Sequence, residues 1–193
     1  MSATGRGGER AVNDAYYTPE KLANKLVDLL PIRREHLALE PHVGGGAFYN
    51  ALRTKTTNID VCDIGPAIWN YAFPSSTGAY GGDYLEWDGY KPYDWIVGNP
   101  PYQDAMAHVL HSFDLLSPGG NLCFLLRLAF LESKKRVKFW VNHPAHKIWV
   151  LAERPSFTGG GTDNCAYGFF WWKKRGEYEP RPGSTMIDVL SWR

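Results

Sequence analysis

Residues 37–48 read LALEPHVGGGAF, an apolar segment followed by Glu-Pro and a run of glycines. Glycines at such a turn let the backbone bend sharply and approach a ligand closely. Asp63 ends the next apolar segment, 58–63, where a carboxylate can accept hydrogen bonds from both hydroxyls of a ribose. A strand, a glycine-rich turn and an acid at the next strand end together favour a nucleotide-binding crossover.

The glycine-rich turn departs from the dinucleotide-binding pattern in two ways. Gly44 and Gly46 fit the G-x-G-x-x-G spacing, but Tyr49 occupies its last position. Glu40 opens the turn with a negative charge, which would repel a pyrophosphate and attract an amino group. The ligand is therefore expected to carry a ribose and a cation, and S-adenosylmethionine carries both. A plain tight turn that binds nothing is the alternative at this point.

Strand and helix patterns alternate around this turn and predict an α/β fold. Thr18 as N-cap and Pro19 as the first helical residue begin a helix that ends before Pro31. We expect strands over 37–40, 58–63, 80–85, 93–98, 122–126, 147–152 and 166–172, and helices over 103–116 and 132–140. Because a loop alone joins the last two strands, we expect a mostly parallel seven-stranded sheet with an antiparallel edge strand.

The chain is expected to fold as one domain with short flanks. Residues 1–15 are glycine-rich and polar and are expected to be a flexible arm. Residues 16–175 hold the predicted strands and helices and form the expected catalytic domain. Residues 176–193 are expected to be a C-terminal tail, because they hold too little apolar material for a core of their own.

Composition and charge narrow the class of protein. Of the 193 residues, 44% are hydrophobic and 21% are charged, so the chain can bury a core and is not disordered. The formal net charge is +1, which by itself marks neither a nucleic-acid nor a membrane binder. Three cysteines predict reduced thiols, and the absence of a spaced Cys/His set predicts no metal site. Without a long apolar run or a signal peptide, we expect a cytoplasmic protein.

Asn99-Pro100-Pro101-Tyr102 follows the buried strand predicted over 93–98. Two prolines fix the backbone and remove two N–H donors, so that local carbonyl oxygens stay available. The Asn99 side-chain oxygen and the Pro100 carbonyl would hold the N–H groups of a planar, conjugated amine and stabilise the positive charge that methyl transfer places on its nitrogen. Tyr102 offers a flat face on which a base can stack.

These motifs resemble those of adenine-N6 DNA methyltransferases. YDWIVGNPPY resembles the family's catalytic motif and LEPHVGGGAF its cofactor loop, while His42 and Val43 depart from the small residues usual there. The resemblance implies a Rossmann-like class I methyltransferase fold, with S-adenosylmethionine as cofactor. It assigns catalysis to Asn99, Pro100, Pro101 and Tyr102. It assigns cofactor contacts to Tyr17, Thr18, Pro19, Glu40, Pro41, His42, Gly44, Gly46, Phe48, Asp63, Ile64, Asp83, Tyr84 and Asn99.

Substrate contacts are expected from two later segments. Related enzymes place an aromatic ring against the target base, which in the loop over 154–164 indicates Phe157, with Arg154 on a phosphate. Lys134 and Lys135 are further candidates for phosphate contacts, although a charged run on a helix is more often a solvated face.

The resemblance implies methyl transfer to the N6 amino group of adenine in DNA. No large recognition domain follows the core, so we expect low or short-context sequence specificity, as in compact phage or mobile-element members of the family. Adenine in RNA is an alternative substrate, glutamine in a protein is a weaker one, and an inactive cofactor-binding module is the weakest. The sequence leaves the oligomeric state open.

Overall fold

The computed structural model describes residues 17–65, 68, 73–74, 77–89, 92–157, 164–175 and 184–193. The α-helices in these ranges are α1 (Glu20–Asp28), α2 (Ala47–Leu52), α3 (Ala105–Leu115) and α4 (Val137–Asn142). The strands are β1 (Ala38–Glu40), β2 (Ile59–Asp63), β3 (Ala79–Gly81), β4 (Tyr93–Gly98), β5 (Leu116–Arg127), β6 (Lys147–Leu151), β7 (Tyr167–Lys173) and β8 (Met186–Leu190). The predicted arm, 1–15, lies outside the described residues.

The strands form one sheet in the order β3-β2-β1-β4-β5-β7-β6-β8. All neighbouring pairs are parallel except those of β7, which is antiparallel to both β5 and β6. This mostly parallel, Rossmann-like arrangement confirms the predicted fold class. The strand order reverses between β1 and β4, and such a reversal opens a crevice at the carboxyl ends of the strands.

Two details of the sheet differ from the prediction. The sheet has eight strands instead of seven, because β8, in the segment expected to be a tail, pairs with β6. The antiparallel strand is not at the edge, since β7 lies between β5 and β6. Residues 167–172 are all buried, and a strand that is apolar on both faces is stable where neighbouring strands and helices cover it.

Two apolar cores cover the two faces of the sheet. Leu22 and Leu26 of α1 and Phe48 of α2 belong to one core. Val109 of α3 and Phe139 of α4 belong to the other. The Tyr17 ring, just before α1, contacts the glycines before α2, so these two segments lie at the same end of the sheet. None of the helices in the described ranges is long and apolar enough to cross a membrane.

Two predicted elements are shorter in the structure. The strand expected over 80–85 is Ala79–Gly81, because a 3₁₀ turn follows it. The helix expected over 132–140 is a 3₁₀ turn at Lys134–Arg136 followed by α4. Ser133, just before that turn, has φ 134°, a conformation outside the helical region that prevents an earlier start.

Candidate functional site

A cleft opens at the carboxyl end of the sheet, where β1 and β4 lie side by side. Glu40 ends β1, Asn99 follows β4, and both residues line the cleft. In open α/β sheets a ligand site usually lies at such a reversal of strand order. The lining residues are Tyr17, Thr18, Glu40, His42, Val43, Gly44, Gly45, Ala47, Phe48 and Asn99.

The glycine-rich loop has a shape that favours glycine. Gly44 and Gly46 have φ of +47° and +79°, in the left-handed region. A Cβ atom at Gly45 would lie 3.1 Å from Cδ1 of Tyr17, so a side chain there would press on the ring. The Gly44 N–H donates to Oδ2 of Asp63 at 2.7 Å, and this bond ties the loop to the end of β2.

Glu40 is a buried carboxyl group that faces the cleft. The residue is 1% exposed, and its carboxylate accepts a hydrogen bond from the backbone N–H of Tyr49. Its Oε2 has no hydrogen-bond partner among the described residues. Burial and, next, the charge of Asp63 raise the pKa of Glu40 well above its ordinary value of 4.5. Such a carboxyl favours a cationic ligand, because a positive donor would satisfy Oε2 and stabilise the charged form.

The Asn99 amide is oriented by the segment that precedes α1. Its Nδ2 donates to Oγ1 of Thr18 at 3.1 Å, and this bond sets the direction in which Oδ1 accepts hydrogen bonds. The prediction that Thr18 caps α1 is wrong. Pro19 is the N-cap and no side chain caps the helix, because the Thr18 hydroxyl reaches Asn99 instead.

His42 belongs to a cluster of rings that supports the loop from the side of α3. Its Nε2 lies 2.9 Å from Nδ1 of His108, and the Tyr84 ring stacks on His108 with centroids 5.7 Å apart. Burial lowers the pKa of both imidazoles, that of His108 to about 4, so both are neutral near pH 7. Across the described part of the chain, no group of three or more His, Cys, Asp or Glu side chains is arranged to hold a metal ion.

Solved structures of methyltransferases share this architecture. A protein from Listeria monocytogenes, described as a class I S-adenosylmethionine-dependent methyltransferase, matches with a TM-score of 0.72 at 13% identity, over 94% of this chain and 68% of that one. The chain has the class I methyltransferase fold. The methyltransferase subunit of a type I restriction-modification system from Streptococcus thermophilus matches with a TM-score of 0.69 at 16% identity, over 84% of this chain and 46% of that one.

A second kind of methyltransferase matches equally broadly. The 23S rRNA methyltransferase ErmE matches with a TM-score of 0.65 at 15% identity, over 86% of this chain and 72% of that one. The chain spans about half the length of the restriction-modification subunit. No protein-family model and no curated protein sequence matches the chain. Identities this low establish the class I methyltransferase fold alone.

The class I methyltransferase fold brings half of the predicted cofactor residues into the cleft. Those that line it are Tyr17, Thr18, Glu40, His42, Gly44, Phe48 and Asn99. Gly46 is the N-cap of α2. Pro41 packs on the end of β4, where a Cβ atom at Gly98 would lie 3.4 Å from its Cδ. Close packing of Pro41 on β4 holds the two sides of the cleft together.

The predicted ribose and adenine contacts follow the ends of β2 and β3. Both carboxylate oxygens of Asp63 accept backbone N–H bonds, at 2.7 and 2.6 Å, and further lone pairs remain on each. The Ile64 residue is 67% exposed. Asp83 caps the 3₁₀ turn through the N–H two residues on, at 2.9 Å, while Tyr84 is buried and its hydroxyl pairs with Ser112. Their contacts with a cofactor stay predictions.

The structure brings a predicted substrate residue, Phe157, next to a predicted catalytic residue, Tyr102, and adds two residues that the sequence did not indicate. The Phe157 ring meets Tyr102 edge-on with centroids 6.4 Å apart. The guanidinium of Arg127 lies 4.9 Å from the centroid of the Tyr102 ring, and Tyr167 lies 5.5 Å from it. Arg127 is the first charge after the apolar run 122–126, and that position at a strand end is the signal that would have indicated it.

The other predicted substrate residues are exposed. Lys134 and Lys135 lie on the 3₁₀ turn before α4. Arg154 follows β6, and its carbonyl oxygen accepts a hydrogen bond from Arg193 at 3.4 Å. Their phosphate contacts stay predictions.

Because Glu40 is buried, we expect its carboxyl group to lower the free energy of unfolding of the protein. Because its folded-state pKa is raised, the folded chain binds more protons than the unfolded chain between pH 4.5 and that pKa, and stability falls as pH rises through this window. Glu40→Gln removes the buried ionisable carboxyl and should raise the free energy of unfolding near neutral pH by on the order of 1–3 kcal/mol. Urea denaturation at several pH values measures this difference, which should vanish below pH 4.5.

Glu35→Gln is the matched control for this measurement. Glu35 is exposed and pairs with Arg33 on the surface, so its replacement should change stability by less than about 0.5 kcal/mol at any pH. Equal stabilities of Glu40→Gln and the wild type at neutral pH would contradict the account of Glu40.

Proposed function

We propose that the protein transfers a methyl group from S-adenosylmethionine to the N6 amino group of adenine in DNA, with low or short-context sequence specificity. The observation that carries this proposal is that Glu40 and Asn99 line one cleft beside the glycine-rich loop. Glu40 favours a cation and the oxygen of Asn99 favours an amine. Methyl transfer needs both groups close together. The anion binds the ammonium group of the methyl donor, and the amide oxygen accepts from the amine that receives the methyl group.

The residues of the cleft fit the proposed cofactor. S-adenosylmethionine supplies a positively charged sulfonium whose methyl group an amine can attack. The buried Oε2 of Glu40 suits its ammonium group, because a charged donor would satisfy that oxygen. Glycines over 44–46 let the backbone approach the ligand without an intervening side chain. Asp63 would accept hydrogen bonds from the ribose hydroxyls at the end of β2.

Asn99 acts on the amine that receives the methyl group. The amino nitrogen of adenine shares its lone pair with the ring and is a poor nucleophile. A hydrogen bond from its N–H to Oδ1 of Asn99 would favour a pyramidal nitrogen and stabilise the positive charge that develops on it. The bond to Thr18 keeps Nδ2, which is a donor, turned away from this point. Tyr102 would stack on the ring of the base.

Two of the structural similarities concern the choice between DNA and RNA as the substrate. The fold shared with a type I restriction-modification methyltransferase subunit supports DNA as the substrate. The likeness to a 23S rRNA methyltransferase over 86% of the chain supports RNA as the polymer in the second candidate. In either polymer the base must leave its stack to reach Asn99, and this step costs least in single strands.

A labelling experiment tests the proposal. Purified protein is incubated with tritiated methyl donor and, in separate reactions, DNA, RNA and protein, and the labelled product is hydrolysed and separated. We expect label in DNA, recovered as N6-methyldeoxyadenosine, and sequencing should find it in many short contexts. Label in RNA would favour the second candidate. Label in a protein glutamine, or in none of the three, would contradict methylation of adenine.

The Thr18–Asn99 contact predicts that substitutions at these two positions lower the rate of methyl transfer to different extents. Asn99→Ala should lower the single-turnover rate by roughly 10²–10³-fold, because one preorganised acceptor is lost. Asn99→Asp keeps an acceptor and should retain measurable activity. Thr18→Val removes the bond that orients the amide and, with the cofactor saturating, should lower the rate by roughly tenfold to a hundredfold. Single-turnover methylation at saturating cofactor measures all three.

Cofactor affinity and a distant threonine provide the controls. Calorimetry should find the affinity of Asn99→Ala for S-adenosylmethionine little changed, because the lost hydrogen bond is made to the amine that receives the methyl group. Thr57→Val, at an exposed position before β2, should retain the wild-type rate. A wild-type rate for Asn99→Ala would mean that the turn after β4 is only structural.

A further inference from the structure

Four side chains from four separate segments meet beside the proposed acceptor site. Tyr102 follows β4, Arg127 ends β5, Phe157 follows β6 and Tyr167 begins β7. The Phe157 and Tyr167 rings contact each other with centroids 5.1 Å apart, and both contact Tyr102. Arg127 lies over the Tyr102 ring at 4.9 Å, and its Nε donates to the Tyr167 hydroxyl at 3.3 Å.

The strand register places Arg127 at the rim of the carboxyl edge. Gly98, the last residue of β4, pairs with Phe124 of the parallel strand β5. Arg127 lies three residues further along, which is about 10 Å beyond the level of Gly98 in an extended strand. Tyr102, four residues after the end of β4, lies at the same height, because the Arg127 guanidinium is 4.9 Å from its ring centroid. Arg127 is only half-buried, so part of its side chain is exposed to solvent at this edge of the sheet.

Phe157 and Tyr167 hold this arrangement from the buried side. Tyr167 is fully buried and Phe157 is 6% exposed, whereas Tyr102 and Arg127 are half-buried. The two half-buried side chains therefore form the solvent side of the cluster. An aromatic face next to a guanidinium is the combination that single-stranded nucleic acid sites use, in which the ring stacks on a base and the cation neutralises the backbone.

We propose that Arg127 binds the phosphate of the target nucleotide and positions Tyr102 for stacking on its base, an inference that rests on the proposed function. A guanidinium presents paired N–H donors that match two oxygens of one phosphate. The contact with Tyr102 couples the two tasks, because the group that holds the phosphate also fixes the ring beneath the base. The substrate class is accordingly a polynucleotide, since a glutamine side chain brings no phosphate for Arg127 to neutralise.

The salt dependence of binding tests this role directly. The probe is a fluorescently labelled single-stranded DNA oligonucleotide of mixed sequence, titrated at several salt concentrations. Arg127→Gln should bind about tenfold more weakly at low salt, and the slope of log affinity against log salt should fall by about 0.7, the value for one lost phosphate contact on a single strand. Arg127→Lys keeps the charge and should keep the slope. It should lower the single-turnover rate, because an ammonium does not stack on Tyr102 as a planar guanidinium does.

Arg53→Gln is the matched control. Arg53 also stacks on a tyrosine, with its guanidinium 5.7 Å from the Tyr49 ring centroid. It follows α2, which runs from the glycine-rich loop toward the opposite end of the sheet, so this variant should keep the wild-type slope and rate. Thermal unfolding checks that each variant is folded. If Arg127→Gln is not folded, Arg127→Lys provides the test. It should keep the wild-type salt slope and lower the single-turnover rate.

The outcomes separate this inference from the proposed function. If the wild type methylates DNA but Arg127→Gln keeps the wild-type slope, or Arg127→Lys keeps the wild-type rate, the inference on Arg127 is wrong and the proposed function stands. If the slope depends on Arg127 but no polynucleotide is methylated, the phosphate contact stands and the proposed function is wrong. Methylation of protein glutamine alone, together with a slope that does not depend on Arg127, would overturn both.

Discussion

The buried carboxyl of Glu40 is the constraint on which the site depends. β1 and β2 are parallel neighbours, so their last residues, Glu40 and Asp63, end at the same edge of the sheet. The glycine-rich loop gives one of its N–H groups to Asp63, and Glu40 is left with an oxygen that no described residue satisfies. An unsatisfied buried acceptor costs the folded state free energy, and a protein keeps one where a ligand compensates for it.

The other side of the cleft is organised by a contact between distant parts of the chain. The Thr18 hydroxyl orients the Asn99 amide, and the Tyr17 ring packs on the glycines of the loop. Two successive residues before α1 thus touch both the proposed cofactor loop and the proposed catalytic turn. The class I methyltransferase fold supplies the crevice, whereas these particular contacts decide which groups face into it.

Local patterns predicted the fold class and the motifs that line the cleft, because strands, glycine turns and proline turns depend on residues that are adjacent in the sequence. The contact of Thr18 with Asn99 spans 81 residues, so the helix-cap pattern alone gave Thr18 the wrong role. β8 was missed for a related reason. Its outer residues, such as Ile187 and Val189, are exposed, and the strand is held by pairing with β6 rather than by a buried face. Arg127 and Tyr167 meet only because β5 and β7 pair.

The central claim is that Glu40 receives the cationic end of S-adenosylmethionine in the cleft that Asn99 shares. Its most direct test is to count protons during cofactor binding by the wild-type protein. Titration calorimetry is run in two buffers of different ionisation enthalpy, below the folded-state pKa of Glu40, where the carboxyl holds a proton. Binding an ammonium group there stabilises the carboxylate, so the account predicts a proton release that approaches one per bound cofactor and declines as pH rises. Equal heats in both buffers, or no binding at all, would contradict it.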